Sequence, residues 1–375
     1  MERLLDYVNN NDFDRPTVIL DIEQVEKNYH ELKSGMPDAH IHYAVKANPQ
    51  PEVLSKLVSV GCRFDAASIG EIEMCLDAGA DVAHISFGNT IKRVTDIQKA
   101  YALGIRLYSA DAIEELDKIA EHAPGSNVFI RIIVTNSQAE WPLSRKFGCN
   151  PDYALPLMDY AVNSGLNVVG LSFHVGSQTR HPEMWFDVLD MISDIWIAAQ
   201  AAGHPLWLLN VGGGFPAYYG VHITDPTTYG ATIMQAIRER FDGVKYVMAE
   251  PGRGMVASAG VIVCTVLLVS RKSPTDDTRW VYLDVGRFSG LSETEGEAIK
   301  YQFEIPGKHN QATGACIMAG PTCDSADILY ETNKIQLPLD LKAGDKFVIK
   351  STGAYTTTYS TVAFNGFPPL QVHVL

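Results

Sequence analysis

With 375 residues the chain is long enough for two or three domains, although a single barrel can take up about 250 residues. It is 46% hydrophobic and 20% charged, the balance of a soluble globular protein, which excludes a largely disordered chain. Lys and Arg total 30 against 44 Asp and Glu, a net charge of −14, so nucleic acid is a poor partner while a cationic ligand is compatible.

The six cysteines are scattered without a CxxC pair or metal-ligand spacing, which reads as reduced thiols and no metal site. The opening Met1-Glu2-Arg3-Leu4-Leu5-Asp6 lacks an apolar signal core, and no run approaches the ~20 residues of a membrane span. The expectation is a cytoplasmic protein with no membrane partner.

In chain order, residues 1 to 23 hold one apolar run, Thr17 to Leu20, after Pro16. A helical pattern follows from Ile22 to Leu32, and then short apolar runs alternate with segments of helical period. The strand candidates are His40 to Ala47, Cys62 to Ser68, His84 to Gly88, Arg106 to Ser109, Asn127 to Val134, Val168 to Gly176, Leu206 to Gly212 and Tyr246 to Glu250. Strands alternating with helices imply parallel pairing and right-handed crossovers, and eight such units match a closed (β/α)8 TIM-like barrel over 24–257; an open doubly wound sheet is the competing architecture. After Gly260 the helical period disappears, and runs such as Val261 to Val269, Arg279 to Val285, Ala315 to Ala319 and Lys346 to Ser351 alternate with turn-rich stretches. Residues 258–375 therefore read as an all-β domain, joined by 1–23 through Thr17 to Leu20.

In such a barrel chemistry gathers at the C-terminal ends of the strands. The residues there are Lys46, Asp65, His174, Ser177, Gly212-Gly213-Gly214, and Glu250 with Arg253. A lysine partly removed from water loses some of its proton and can form a Schiff base with a carbonyl, although a solvated strand-end lysine is the plainer reading. Three glycines in a row let backbone N–H groups approach an anion with no Cβ in the way, or simply turn the chain. Arg253 suits bidentate phosphate binding and Glu250 could keep a pyridine nitrogen protonated, unless the two form a structural salt bridge. His174 could lie on an aromatic ring or be a hydrogen-bonded core histidine. In the β domain, Gly320-Pro321-Thr322-Cys323-Asp324-Ser325-Ala326-Asp327 presents a cysteine in a turn, a candidate proton donor, and Gly353-Ala354-Tyr355 offers a phenol.

The strings YAVKAN, FDAAS, SFHVGSQ, NVGGGFP, AEPGR, GPTCDSAD, TGAYT and FNGF stand in the order found in fold-type III pyridoxal phosphate decarboxylases. From about residue 16 onward the chain resembles their ornithine decarboxylase branch. The resemblance implies pyridoxal 5'-phosphate as cofactor, with Lys46 holding it covalently, Asp65 near Lys46, Glu250 at the pyridine nitrogen and His174 on the ring. Ser177, Gly212, Gly213, Gly214, Gly252, Arg253 and Tyr355 would hold the phosphate. Cys323 matches the reprotonating cysteine and Asp324 the acid that contacts the substrate's distal amine. The stretch Gly290 to Glu297 departs from the eukaryotic pattern and is similar to the bacterial ornithine/lysine enzymes, with Glu297 standing in as second substrate acid.

The implied reaction is decarboxylation of a small basic amino acid, L-ornithine first and L-lysine second, to putrescine or cadaverine, in a homodimer with shared active sites. A diaminopimelate or carboxynorspermidine decarboxylase of the same fold, and a catalytically inactive regulatory homologue, are the alternatives. The Cys-Asp-Ser-Ala-Asp string speaks for ornithine or lysine, and the presence of Lys46, Glu250 and Cys323 speaks for an enzyme.

Overall fold

A computed structural model describes residues 1–134, 146–308 and 311–375. The chain divides into two compact units, residues 25–216 with 223–255, and residues 1–24 with 217–222 and 256–375. Residues 217–222, inside the range expected for the barrel, thus group with the β unit. There Ser351 Oγ donates to the Tyr218 carbonyl at 3.1 Å, and Tyr219 meets the Tyr301 ring edge-on at 5.5 Å.

The first strand, β1 (Thr17–Leu20), belongs to the β unit and is taken up below. The larger unit is a closed barrel of eight parallel strands, β2 (Ala39–Ala44), β3 (Arg63–Ala66), β4 (Ile85–Phe87), β5 (Leu107–Ala110), β6 (Asn127–Arg131), β7 (Asn167–Ser172), β8 (Leu208–Asn210) and β9 (Tyr246–Ala249). Each pairs with its neighbour in sequence, and β2 closes on β9 through Ala39 opposite Val247 and Ile41 opposite Ala249. All eight strand candidates are therefore present, most of them shortened and their ends shifted by up to four residues. The strands are short because the apolar runs continue into the βα loops, where the chain must turn toward each helix.

Local chemistry sets the helix starts. Ser68 accepts from the Glu71 amide at 3.2 Å while Glu71 accepts from the Ala67 amide at 2.6 Å, a reciprocal cap over the helix Ile69–Asp77. Asp225 caps Pro226–Arg240 by accepting from Thr228 N at 2.9 Å. Asn28, in the helix Ile22–Gly35 that leads into the barrel, is buried and donates to the Met255 carbonyl at 2.8 Å, which ties that helix to the chain beyond β9.

In the β unit, β10 (Gly260–Ser270), β11 (Arg279–Leu283), β12 (Phe303–Glu304), β13 (Thr313–Ala319), β14 (Ile328–Pro338) and β15 (Lys346–Lys350) lie in the order β12-β15-β10-β11-β13-β14. β1 runs antiparallel to β10 and parallel to the last strand, β16 (Gln371–Val374). A helix that the sequence reading did not include, Glu2–Asn10, buries Leu4 and Val8 against Ile19, Val261, Val263 and Val348. The 11-residue β14 was also not foreseen: its centre, Glu331 to Lys334, is exposed and polar, and carries no strand period.

Candidate active site

Lys46 does not extend the strand that precedes it. β2 ends at Ala44, and Val45–Ala47 form one turn of 3-10 helix with Lys46 at its centre. The buried Tyr43 hydroxyl donates to the Asn48 carbonyl at 2.9 Å, and Asn48 Oδ1 accepts from the Gln50 amide at 3.0 Å. The Ala44 amide donates to the Pro251 carbonyl at 3.0 Å, joining this turn to the segment that carries Glu250. The Lys46 side chain is exposed, so the reactivity expected from removal of water is not built into its backbone position.

Two carboxyls share the barrel end with Lys46. Asp65, the third residue of β3, is buried and accepts from Ser86 Oγ at 3.3 Å. Burial raises its pKa against the pull of Lys46, Ser86 and Arg131. Gly88 borders it so closely that a Cβ there would collide with the carboxylate. Glu250 follows β9; burial first and Asp65 second push its carboxyl up to about 8, opposed by the Asn210 hydrogen bond, Lys46 and Arg131. A cation placed against Glu250 would return it to the ionised form. A protonated pyridine nitrogen is such a cation.

His174 lies in the loop after β7. Its Nδ1 accepts from the Gly176 amide at 2.9 Å, which leaves the proton of the neutral ring on Nε2. Loss of water, together with Arg131 and Lys46, lowers its pKa to about 3, so the ring is uncharged at neutral pH. Ser177, three residues on, accepts from Arg253 Nη2 at 3.2 Å, and the Arg253 side chain is buried.

Between these loops runs the glycine turn after β8. Gly212 and Gly214 adopt left-handed φ values of +69° and +108°, which only glycine holds at little cost. A Cβ on Gly212 would strike the Phe173 carbonyl, one on Gly213 would come to 2.7 Å from the Glu250 carbonyl, and one on Gly214 to 2.5 Å from the Gly176 carbonyl. The turn is laced to its neighbours by Glu250 N to the Gly212 carbonyl at 2.8 Å and Thr179 N to the Gly214 carbonyl at 3.0 Å. Gly252 closes the turn into Arg253–Val256 by accepting from the Met255 amide at 3.0 Å.

The barrel unit thus brings together Lys46, Asp65, His174, Ser177, Gly212 to Gly214, Glu250, Gly252 and Arg253. A primary amine, an imidazole, a carboxyl that ionises beside a cation, and a side-chain-free cradle next to a buried guanidinium fit pyridoxal phosphate. Two members were not foreseen. Arg131, the last residue of β6, is lowered in pKa by burial and faces Glu250, Asp111 and Asp65; it was read as the middle of a longer strand. Asn210, the last residue of β8, was read only as the flank of the glycines.

The remaining expected site residues lie in the β unit. Among the described residues, Cys323 is the one exposed cysteine of six, and its amide donates to Asn365 Oδ1 at 3.1 Å. Asp324 is exposed and its Oδ1 accepts from the Ala326 amide at 2.8 Å. Asp327 is buried and staples the loop, accepting from Arg287 N at 2.7 Å, Thr322 N at 3.1 Å and Thr322 Oγ1 at 2.7 Å. Tyr355 is half-buried with φ +55°, a conformation that costs a non-glycine residue about 1–3 kcal/mol.

Glu297, expected as the second substrate acid, is hydrogen-bonded to the start of β14's polar centre. Its Oε1 accepts from the amides of Glu331 at 2.8 Å and Thr332 at 2.7 Å, and its Oε2 from Asn333 N at 2.9 Å and Asn333 Nδ2 at 2.5 Å. Burial would raise its pKa, but these donors outweigh it and hold the carboxyl below its usual range. They also pin a bulge of β14, because Cys316 pairs with Ile335 whereas Met318 pairs with Tyr330. Both oxygens are engaged within the unit.

Among the described residues there is no cluster of metal-ligating side chains, and no helix is long and apolar enough to cross a membrane. The pyridoxal binding domain of the pyridoxal-dependent decarboxylases matches residues 22–257. The chain is 33% identical over 360 residues to a lysine/ornithine decarboxylase of Selenomonas ruminantium, covering 94% of this chain and 87% of that protein. It superposes on the lysine/ornithine decarboxylase of Vibrio vulnificus complexed with cadaverine with a TM-score of 0.88 at 31% identity, covering 99% of this chain and 97% of that one. The arginine decarboxylase of Paramecium bursaria Chlorella virus gives 0.90 at 27% identity over 100% of both chains. Matched along its barrel by the family's own domain and along nearly all its length by these relatives, the chain belongs to the pyridoxal-dependent decarboxylases.

Proposed function

We propose that the protein decarboxylates a basic L-amino acid, ornithine or lysine, to putrescine or cadaverine. The observation that carries this reading is the grouping of Lys46, Glu250, His174 and the glycine cradle on one barrel end in a chain 33% identical to a lysine/ornithine decarboxylase. Pyridoxal phosphate supplies an electron sink for the pair left on Cα when CO2 departs. Lys46 would hold the cofactor by its carbonyl carbon, Glu250 would serve the ring nitrogen, and His174 would offer the ring an uncharged face. Gly212 to Gly214, Ser177, Gly252 and Arg253 would receive the phosphate, with Tyr355 as a further donor.

The remaining work falls to the β unit. The Cα–carboxylate bond breaks, CO2 leaves, and Cα takes one proton, which the Cys323 thiol donates. Asp324 takes the distal ammonium, since a charged amine in a partly dry site needs a carboxylate partner. In this reading the protein is a cytoplasmic two-fold dimer in which each chain lends its Cys323 loop to the other's barrel.

Product analysis with ornithine, lysine, arginine and diaminopimelate offered separately tests the proposal. Putrescine or cadaverine with matching CO2 supports it. Agmatine as sole product, or no amine from any substrate by a protein loaded with cofactor, overturns it.

A further inference from the structure

Asn210 is buried at the end of β8, and both ends of its amide are committed. Oδ1 accepts from the Gly212 amide at 2.8 Å, and Nδ2 donates to Glu250 Oε1 at 2.5 Å. A backbone N–H can only donate, so the amide cannot flip, and its NH2 group must face Glu250. The same three residues close a ring through the backbone, because the Glu250 amide donates to the Gly212 carbonyl at 2.8 Å.

We propose that Asn210 is a positioning residue that sets the orientation of the Glu250 carboxyl from the end of β8, just before the glycine turn. Because Nδ2 presents hydrogen to Oε1, any proton that Glu250 carries sits on Oε2. The oxygen that exchanges a proton with a ring nitrogen is thereby chosen before the cofactor arrives. The distance between that oxygen and the glycine cradle is likewise set by one rigid amide. The inference rests on the reading that Glu250 serves the pyridine nitrogen and the glycines the phosphate.

Replacement by aspartate separates this role from mere packing. A protonated Asp keeps the pattern of Asn, one oxygen accepting from Gly212 N–H and one O–H donating to Oε1. An ionised Asp instead puts two carboxylates face to face. Asn210→Asp is therefore expected to match the parent at low pH and to fail as pH rises and the new carboxyl loses its proton.

The experiment measures the cofactor dissociation constant and the visible absorbance of the bound cofactor against pH, in the parent and in Asn210→Asp; neither reading needs an amino-acid substrate. The expected ratio of variant to parent dissociation constant is within about threefold near pH 6 and grows to about tenfold or more near pH 8.5. A ratio that does not change with pH overturns the inference. In Asn210→Ala the dissociation constant should rise about tenfold at every pH, and a value within twofold of the parent overturns it as well. Failure of the parent to release a diamine bears on the proposed reaction alone, since the cofactor titration is read without it.

Discussion

The Tyr43 hydroxyl donates to the Asn48 carbonyl at 2.9 Å and closes the single turn on which Lys46 stands. The bond is buried at both ends, so Tyr43→Phe, which removes this donor, should cost about 1 kcal/mol. The denaturation midpoint should fall accordingly, and kcat should drop with it because the turn aims Lys46. An unchanged kcat alongside a lowered midpoint would show that the turn holds its shape without the phenol.

Glu250→Gln keeps the size of the side chain and the bond to Asn210 but cannot hold a ring proton. Cofactor should stay bound, while kcat falls by roughly a hundredfold or more. Equal kcat in variant and parent would make the carboxyl structural.

The barrel strands were legible because each apolar run ends in polar or glycine residues before a helical period begins, and parallel βα units force those ends into one ring. Lys46, Asp65, His174, Ser177, Gly212 to Gly214, Glu250 and Arg253 could be grouped for that reason alone. Arg131 was not legible: a lone arginine inside the run Asn127 to Val134 has no local mark, and its partners come from other strands. The engagement of Glu297 was not legible because its four donors lie more than thirty residues onward, in a strand whose polar centre hides it. The helix Glu2–Asn10 carried a signal that could have been read, Leu4 and Val8 one turn apart.

His42 gives the barrel an acid limit. It is buried, its Nε2 accepts from the Tyr246 hydroxyl at 2.9 Å, and that hydroxyl in turn accepts from Arg63 at 2.6 Å. Burial first, then Arg63, lowers its pKa to about 3. The unfolded chain binds this proton below about pH 6.5 whereas the folded chain does not until about pH 3, so stability is lost as pH falls through that window. The slope from one such group is at most about 1.4 kcal/mol per pH unit. Urea denaturation of the parent and of His42→Gln at pH 7.5, 6 and 5 should show a shallower loss in the variant by one proton; parallel curves would refute it.

Glu297 and Asp324 should separate on mutation. Glu297→Ala removes the clamp on the β14 bulge and should destabilise the protein by about 1–3 kcal/mol while leaving KM within about threefold. Asp324→Asn should instead raise KM for the diamino acid by roughly 10- to 1,000-fold, equivalent to ~1.5–4 kcal/mol, with little change in denaturation midpoint. A large KM effect from Glu297→Ala without loss of stability would restore it to the pocket, and an unchanged KM in Asp324→Asn would remove that residue.

The shared-site reading makes a prediction about mixtures. Lys46 and the glycine cradle belong to the barrel unit and Cys323 to the β unit, and in the proposed dimer each site draws these from different chains. Lys46→Ala should abolish turnover and covalent attachment of cofactor, and Cys323→Ala should abolish diamine formation. When the two proteins are mixed and their subunits exchanged, half of the dimers formed at random are heterodimers. In each of these, one site collects both lesions and the other collects neither. Two inactive proteins should then regain up to about a quarter of the parent's activity. Native mass spectrometry verifies the exchange, so an absence of recovery cannot be blamed on unmixed dimers. Recovery near a quarter requires that sites be built across chains, because sites built within one chain leave every site in the mixture with one lesion.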